Sequence, residues 1–132
     1  MHAWTVPGVM DNGFLKTAFT CTNTLSSTVI VGVEVFGPSG GTALNDASVT
    51  SLAMGPGATV VLATSSMGSF SVDSNLGIGP IVSKGSARVL TTATVKASQS
   101  MLCSAILADP DNVKPIVITS LPVIRKTTQL GD

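Results

Sequence analysis

Valine recurs at every second position within the stretch Thr28-Val-Ile-Val-Gly-Val-Glu-Val-Phe36. Successive side chains of a β-strand point to opposite faces of the sheet, so this spacing puts four valines on one face. A helix would distribute the same valines around its circumference, and β-branched side chains lose rotamer freedom there. The stretch therefore predicts a central strand of a sandwich, with the valines facing the core and Glu34 facing the other way. We call Val29, Val31, Val33 and Val35 the valine row.

Short segments of strand character, separated by Gly and Pro turns, continue along the whole chain. None shows convincing helical periodicity, although a helical turn near residues 43–51 is compatible with the sequence. Asn23 to Ser27 is predicted to join the first two strands as an antiparallel hairpin. Pro122 predicts an edge strand or a bulge. The predicted strands are 14–22, 28–36, 58–64, 70–73, 81–82 followed by 86–94, 101–108 and 116–124.

This pattern predicts an all-β fold, organised as a single domain over residues 1–132. About seven short strands at regular spacing are typical of an antiparallel β-sandwich, and a small β-barrel is the alternative. The sandwich is preferred because the valine row and the strands at 58–64 and 101–108 supply enough rows of inward-facing side chains for two facing sheets.

The low charge of the chain excludes one class of function. Only 11% of the residues are charged and the formal net charge is zero, whereas about 25% is usual in soluble domains. Nucleic-acid-binding proteins cluster Lys and Arg to neutralise phosphates, but the seven basic residues here are spread along the chain. We therefore expect no nucleic-acid partner.

Low charge combined with a mean hydropathy of +0.50 also raises the question of how the surface stays soluble, because neutral surfaces promote association. A homo-oligomer would bury part of that surface, and a monomer with all its apolar side chains inside is the alternative. No run of about 18 apolar residues is present, so no membrane span is expected. The segment 1–9 lacks the basic and apolar regions of a signal peptide, so the protein is expected to be intracellular or exported with its signal removed.

Three segments carry a resemblance to a known class of module. They are Phe19-Thr-Cys-Thr-Asn23, the valine-row strand followed by Gly37-Pro-Ser-Gly40, and Gly55-Pro-Gly-Ala-Thr-Val-Val-Leu62. Together they resemble the immunoglobulin-like or fibronectin-type sandwich modules of bacterial surface and exported proteins, and the second half resembles small bacterial all-β proteins. The resemblance implies an exported or surface-associated sandwich module, and the likeness of the second half implies no function. True immunoglobulin domains carry their tryptophan between two cysteines, whereas Trp4 precedes both cysteines here.

Cys21 and Cys103 are the most specific candidate pair in the chain. If both strands face the core, a disulfide between them would bridge the two sheets and imply an oxidising compartment. Two buried free thiols acting as small hydrophobes are the alternative. Sequence spacing does not decide between them, because it does not fix the distance between the two Cα atoms.

Candidate catalytic and metal-binding residues are sparse. The single histidine, His2, lies in a terminal segment interrupted by Pro7-Gly8, and Glu34 is the only glutamate. Glu34 is a candidate ligand contact or general base, or else a partner of Lys16 or Arg88 on a neighbouring strand. Asp109, Asp111 and Asn112 lack the spacing of an EF-hand and are typical of a turn. No metal site, cofactor or enzyme activity is predicted.

Exposed aromatic rings are the usual platform for sugars, and Trp4 is the one candidate for such a ligand contact. The sequence thus favours a non-catalytic bacterial β-sandwich module that acts through contact with a protein partner or with itself. The alternative is a sandwich that binds a small molecule or a carbohydrate.

Overall fold

The computed structural model describes residues 2–68, 70–92, 101–110 and 118–125. These residues form ten strands and one helical turn in two packed sheets, so the predicted all-β sandwich is confirmed, with more strands than the sequence indicated. The elements are β1 (His2–Asp11), β2 (Lys16–Asn23), β3 (Val29–Phe36), α1 (Ala47–Thr50), β4 (Leu52–Met54), β5 (Thr59–Ala63), β6 (Ser74–Asn75), β7 (Val82–Thr91), β8 (Met101–Ala108), β9 (Ile118–Leu121) and β10 (Ile124–Arg125).

Each sheet contains five strands. The front sheet has the order β10-β1-β7-β3-β4, and the back sheet has the order β6-β5-β2-β8-β9. All neighbouring strands are antiparallel except β5 and β6, which are parallel. The sheets remain open, which distinguishes the fold from the alternative of a closed barrel.

The valine row lies on the inner face of the front sheet, as predicted. All four valines are at most 3% exposed and belong to one hydrophobic core. Phe19 and Leu62 reach the same core from the back sheet, where the register pairs them directly across β2 and β5. Burying side chains of this kind stabilises the fold by about 1.5–3 kcal/mol each.

The predicted hairpin between the first two predicted strands is wrong. β2 belongs to the back sheet and β3 to the front sheet, so residues 24–28 form a β-arch between the sheets. The buried Asn23 side chain holds this arch in place. Its Nδ2 donates to the carbonyls of Ser27 (2.8 Å), Met54 (3.0 Å) and Gly55 (3.1 Å), and its Oδ1 accepts from the Leu25 N–H (2.9 Å).

The N-terminal segment is also more regular than predicted. Pro7-Gly8 does not break it, because β1 runs from His2 to Asp11 and pairs with β7 along this length. The register shifts between Pro7 and Val9, and Gly8 lies at φ 82° between them. A bulge of this kind absorbs one extra residue, and glycine adopts the positive φ without strain.

The later segments show two further corrections. The predicted strand at 70–73 is irregular, and the two-residue strand β6 follows it. The interrupted pair 81–82 and 86–94 is a single strand, β7, ending at Thr91, and residues 93–94 lie outside the described part. The segment 101–108 is β8, as predicted.

Pro122 marks a change of sheet. β9 ends at Leu121 in the back sheet and β10 begins at Ile124 in the front sheet, so the chain crosses between the sheets at Pro122-Val123. Both strands lie at the ends of their sheets among the described residues. The predicted edge position is therefore confirmed, but the single strand predicted at 116–124 is wrong, because this segment divides between two strands in different sheets. Residues 116–117 of the predicted strand lie outside the described part.

The short helix α1 covers part of the outer face of the front sheet. Before it, Leu44 donates its N–H to the Val35 carbonyl (2.7 Å), and the Asn45 side chain bonds both Val35 N–H (2.8 Å) and Val33 carbonyl (2.7 Å). After it, β4 pairs with the first half of β3. Between these two attachments α1 rises over Gly32, where a Cβ atom would lie 3.3 Å from the Ala47 carbonyl oxygen.

Candidate functional site

The two residues predicted to contact a ligand lie on opposite faces of the front sheet. Trp4 is 9% exposed and packs in the core, so its ring offers no open platform for a sugar. Glu34 is half-buried on the outer face, on the strand that carries the valine row inward. The structure therefore does not bring Trp4 and Glu34 together in one site.

Of the two neighbours predicted for Glu34, the structure places Arg88 beside it and Lys16 in the other sheet. Lys16 lies in the back sheet, where its Nζ donates to the Ser66 carbonyl (2.7 Å). Arg88 is the direct cross-strand neighbour of Glu34, but its guanidinium carbon lies 4.9 Å from the centre of the Phe36 ring. This distance is within the range of a cation–π contact. Arg88 thus covers Phe36, and these outer-face residues form a small polar and aromatic cluster.

Cys21 and Cys103 form a disulfide in the structure. They face each other on the neighbouring strands β2 and β8, with their Cα atoms 4.2 Å apart. The expectation that this bond would bridge the two sheets is wrong, since both strands belong to the back sheet. Cys21 is fully buried, and Cys103 packs against the same core from a half-buried position. The bond therefore joins two central strands beneath the core.

The described residues contain no cluster of three or more His, Cys, Asp or Glu side chains able to hold a metal ion. Asp109 is buried directly after β8, while Asp111 and Asn112 lie outside the described part. His2 begins β1. Within the described ranges, no helix is long and apolar enough to cross a bilayer.

Among the described strand residues, the outer face of the back sheet carries one charged side chain, Lys16, at the end next to Ser66, and the rest of this face is uncharged. Cross-strand register aligns Thr20 with Val61 and Ser104, and the next row aligns Thr22 with Thr59 and Leu102. The Thr22 and Thr59 hydroxyls are hydrogen-bonded at 2.7 Å. We call this surface the uncharged face, and its members are Thr20, Thr22, Thr59, Val61, Leu102, Ser104, Ile106, Ile118 and Ser120.

Apolar side chains on the uncharged face remain accessible to solvent. Leu102 is 65% exposed and Ile118 is 57% exposed, while Val61 and Ile106 are half-buried. Exposed apolar side chains on a surface without charges are a mark of interaction surfaces when they are contiguous. The sequence did not predict this face. The alternation of side chains in β2 and β8 indicates which residues point outward, but it does not show which strands lie side by side.

One end of the uncharged face is closed by the segment 64–73. Met67 is buried there in a second, smaller hydrophobic cluster with Ala18, Ala63 and Ala108. The Asp73 carboxylate accepts from the Val61 N–H (2.8 Å), which attaches the segment to the edge of β5. This packing explains why residues 70–73 are not a strand: they fold over the sheet instead of extending it.

A second candidate site is an apolar groove beside α1, on the outer face of the front sheet. Its volume is about 340 Å³. It lies on the far side of the sandwich from the uncharged face. We call it the α1 groove, and its lining residues are Ile30, Gly32, Ala47, Ser48, Ser51, Leu90, Thr91 and Thr92.

A third depression, of about 510 Å³, lies beside the turn at residues 37–40. It is lined by this turn together with Lys84, Gly85 and Ser86, so most of its surface is main chain and small side chains. Lys84 is the one charged residue in the lining. An open depression with a single lysine does not select a ligand, and we assign it no function.

No protein-family model, curated protein or solved structure matches the chain.

Proposed function

We propose that this protein is a non-catalytic β-sandwich module that associates with a second copy of itself through the uncharged face. The observation that carries this proposal is a patch of uncharged side chains across four neighbouring strands, combined with the exposed Leu102 and Ile118. Lys16 lies at one end of this patch, where its ammonium group donates to the Ser66 carbonyl. Symmetric dimers place the same patch on both partners. A patch without charges meets its own copy without like-charge repulsion.

The size of the face indicates the strength of the contact. Strands lie about 4.8 Å apart and rise about 3.3 Å per residue, so four strands exposed over about five residues present a flat area of roughly 300 Å². Two copies would bury roughly 600 Å² in this estimate, whereas stable interfaces bury about 1,200 Å² or more. The proposed dimer is therefore weak and depends on concentration.

The origin of the module is part of the same proposal. The resemblance of the first half to immunoglobulin-like or fibronectin-type modules supports a sandwich of the bacterial surface or exterior. The Cys21–Cys103 disulfide supports export as well, because disulfides persist in oxidising compartments. The strand order differs from the constant-type immunoglobulin sandwich, in which the first two strands share a sheet, since β1 and β2 lie in different sheets here.

Sedimentation equilibrium or light scattering over a wide concentration range tests the association. We expect the mass-average mass of the natural chain to rise with concentration. Leu102→Lys places a charge within the proposed contact and is expected to keep the protein monomeric. Ile81→Lys is the matched control, because Ile81 is 77% exposed and precedes β7 in the front sheet.

A natural chain that stays monomeric at every concentration contradicts the proposal. So does an equal loss of association in both lysine variants, which would place the contact elsewhere on the molecule.

A further inference from the structure

The α1 groove lies where helix α1 stands over the pair of strands β3 and β7. Ile30, Gly32 and Leu90 form its floor, and Ala47, Ser48 and Ser51 form one wall. Gly32 gives the groove its depth, because a side chain at this position would contact Ala47. The hydrogen bonds of Leu44 and Asn45 to β3 hold the chain that leads into α1. The wall is therefore attached to the sheet on which the floor is built.

The polar atoms around the groove are occupied within the protein. The Ser48 hydroxyl donates to the Asp46 carboxylate (2.6 Å), and the Ser51 hydroxyl donates to the Ser48 carbonyl (3.3 Å). At the other end, the Thr92 hydroxyl accepts from the Ile30 N–H (3.0 Å). No lining residue is charged. The groove thus has an apolar floor and no polar group that requires a ligand to complete its hydrogen bonds.

We infer that the α1 groove binds a small, neutral, apolar molecule of about one or two rings. A volume of about 340 Å³ lies at the lower end of ligand pockets, which span about 300–1,000 Å³. A charged ligand would lose hydration without gaining a partner, which disfavours ionic compounds. Ile30 is 42% exposed, so the groove is open on one side. This inference is independent of the proposed self-association, because the two surfaces lie on different sheets.

Indole is a suitable probe, and the readout is the ¹⁵N–¹H spectrum of the full chain during an indole titration. The natural chain is expected to show saturable shifts confined to the amides of Gly32, Ser48, Leu90 and Thr92 and their neighbours. Affinity for such a small ligand in an open groove is expected to be about millimolar. Running the same titration on Leu102→Lys keeps the result separate from any change of oligomeric state.

Ile30→Asp tests the site itself. A carboxylate in the floor is expected to weaken indole binding by about tenfold or more. The control is Ile81→Asp, which makes the same change at an exposed isoleucine remote from the groove and is expected to bind as the natural chain does. Shifts that are absent, or that spread over the uncharged face, overturn the inference. Equal binding by Ile30→Asp overturns it as well.

Discussion

At the scale of single residues, Asn23 holds two separate connections of the chain together. It is 1% exposed, and its amide contacts carbonyls of two separate connections, at Ser27 and at Met54 and Gly55. Its main chain also bonds Ala58 and Gly57. The loop after β2 and the loop after β4 are thereby fixed to the same point.

Asn23→Ala is expected to lower the free energy of unfolding by about 2–3 kcal/mol, because buried carbonyls lose their donors. Urea denaturation measures the change. Asn75→Ala is the control, since Asn75 is exposed and its side chain accepts one hydrogen bond, from the Gly77 N–H (2.8 Å). A loss in Asn23→Ala no greater than in Asn75→Ala would show that the arch does not depend on this amide.

Asp46 caps the N-terminus of α1. The Ser48 hydroxyl, followed by the Ser48 N–H, donates to its carboxylate and lowers the pKa of Asp46 from the ordinary value of 3.8. A carboxyl with a lowered pKa in the folded state stabilises the fold above its unfolded pKa, and this contribution is lost as the pH falls through the folded pKa.

Ser48→Ala removes the hydrogen bond that has the larger effect on the pKa of Asp46. The variant is therefore expected to raise this pKa towards 3.8. An NMR titration that follows the Asp46 carboxyl carbon measures this pKa in the natural chain and in Ser48→Ala. Identical titration curves would mean that the hydroxyl does not stabilise the carboxylate.

At the scale of elements, the disulfide links β2 to β8 across 82 positions of sequence. In the chain-entropy model a loop of this length stabilises the folded state by about 4 kcal/mol. We expect the oxidised protein to resist alkylation and to be more stable than the reduced protein by about this amount. The double variant Cys21→Ala/Cys103→Ala separates the cross-link from packing. Equal urea midpoints with and without reductant would exclude a stabilising bond.

Strand β7 passes so close to β3 that only glycine fits at position 85. A Cβ atom on Gly85 would lie 2.5 Å from the Phe36 carbonyl oxygen and 2.7 Å from Val82 Cγ1. Gly85→Ala is therefore expected to lower the free energy of unfolding by about 2–4 kcal/mol, because the main chain around the new methyl group has to move. Gly79→Ala is the control, since an added Cβ meets nothing within 4 Å there and φ is not in the left-handed region. Equal stability of the two variants in thermal unfolding would contradict this.

Periodicity predicted most of the elements because strands with one buried face alternate. It placed β3, β5 and β8 and the burial of the valine row correctly. It missed the bulged β1, because Pro and Gly mark bulges as well as strand ends. It also misassigned the β2–β3 connection, since the same turn residues serve a hairpin and a β-arch. The candidate surfaces were not predictable, because they depend on which strands become neighbours.

At the scale of the whole molecule, the two sheets have different outer faces. The front sheet carries Glu34, Arg88 and the helix α1, whereas the uncharged face covers the back sheet. Among the described residues, charge is thus not spread evenly: most of the outer face of the back sheet is uncharged, with Lys16 at one end. This asymmetry separates the proposed dimer contact from the proposed ligand groove and allows each to be altered without the other.

The strand order of the front sheet also means that some paired strands are synthesised far apart in time. β1 pairs with β7 and β10, and β3 has β7 as its central neighbour, so both early strands depend on segments made much later. At about 5–20 residues per second, a ribosome needs roughly 2 to 9 s to extend the chain from Phe36 to Val82. During that interval the valine row is finished but its main partner does not yet exist. The nascent chain therefore carries the valine row without its central partner strand throughout that interval.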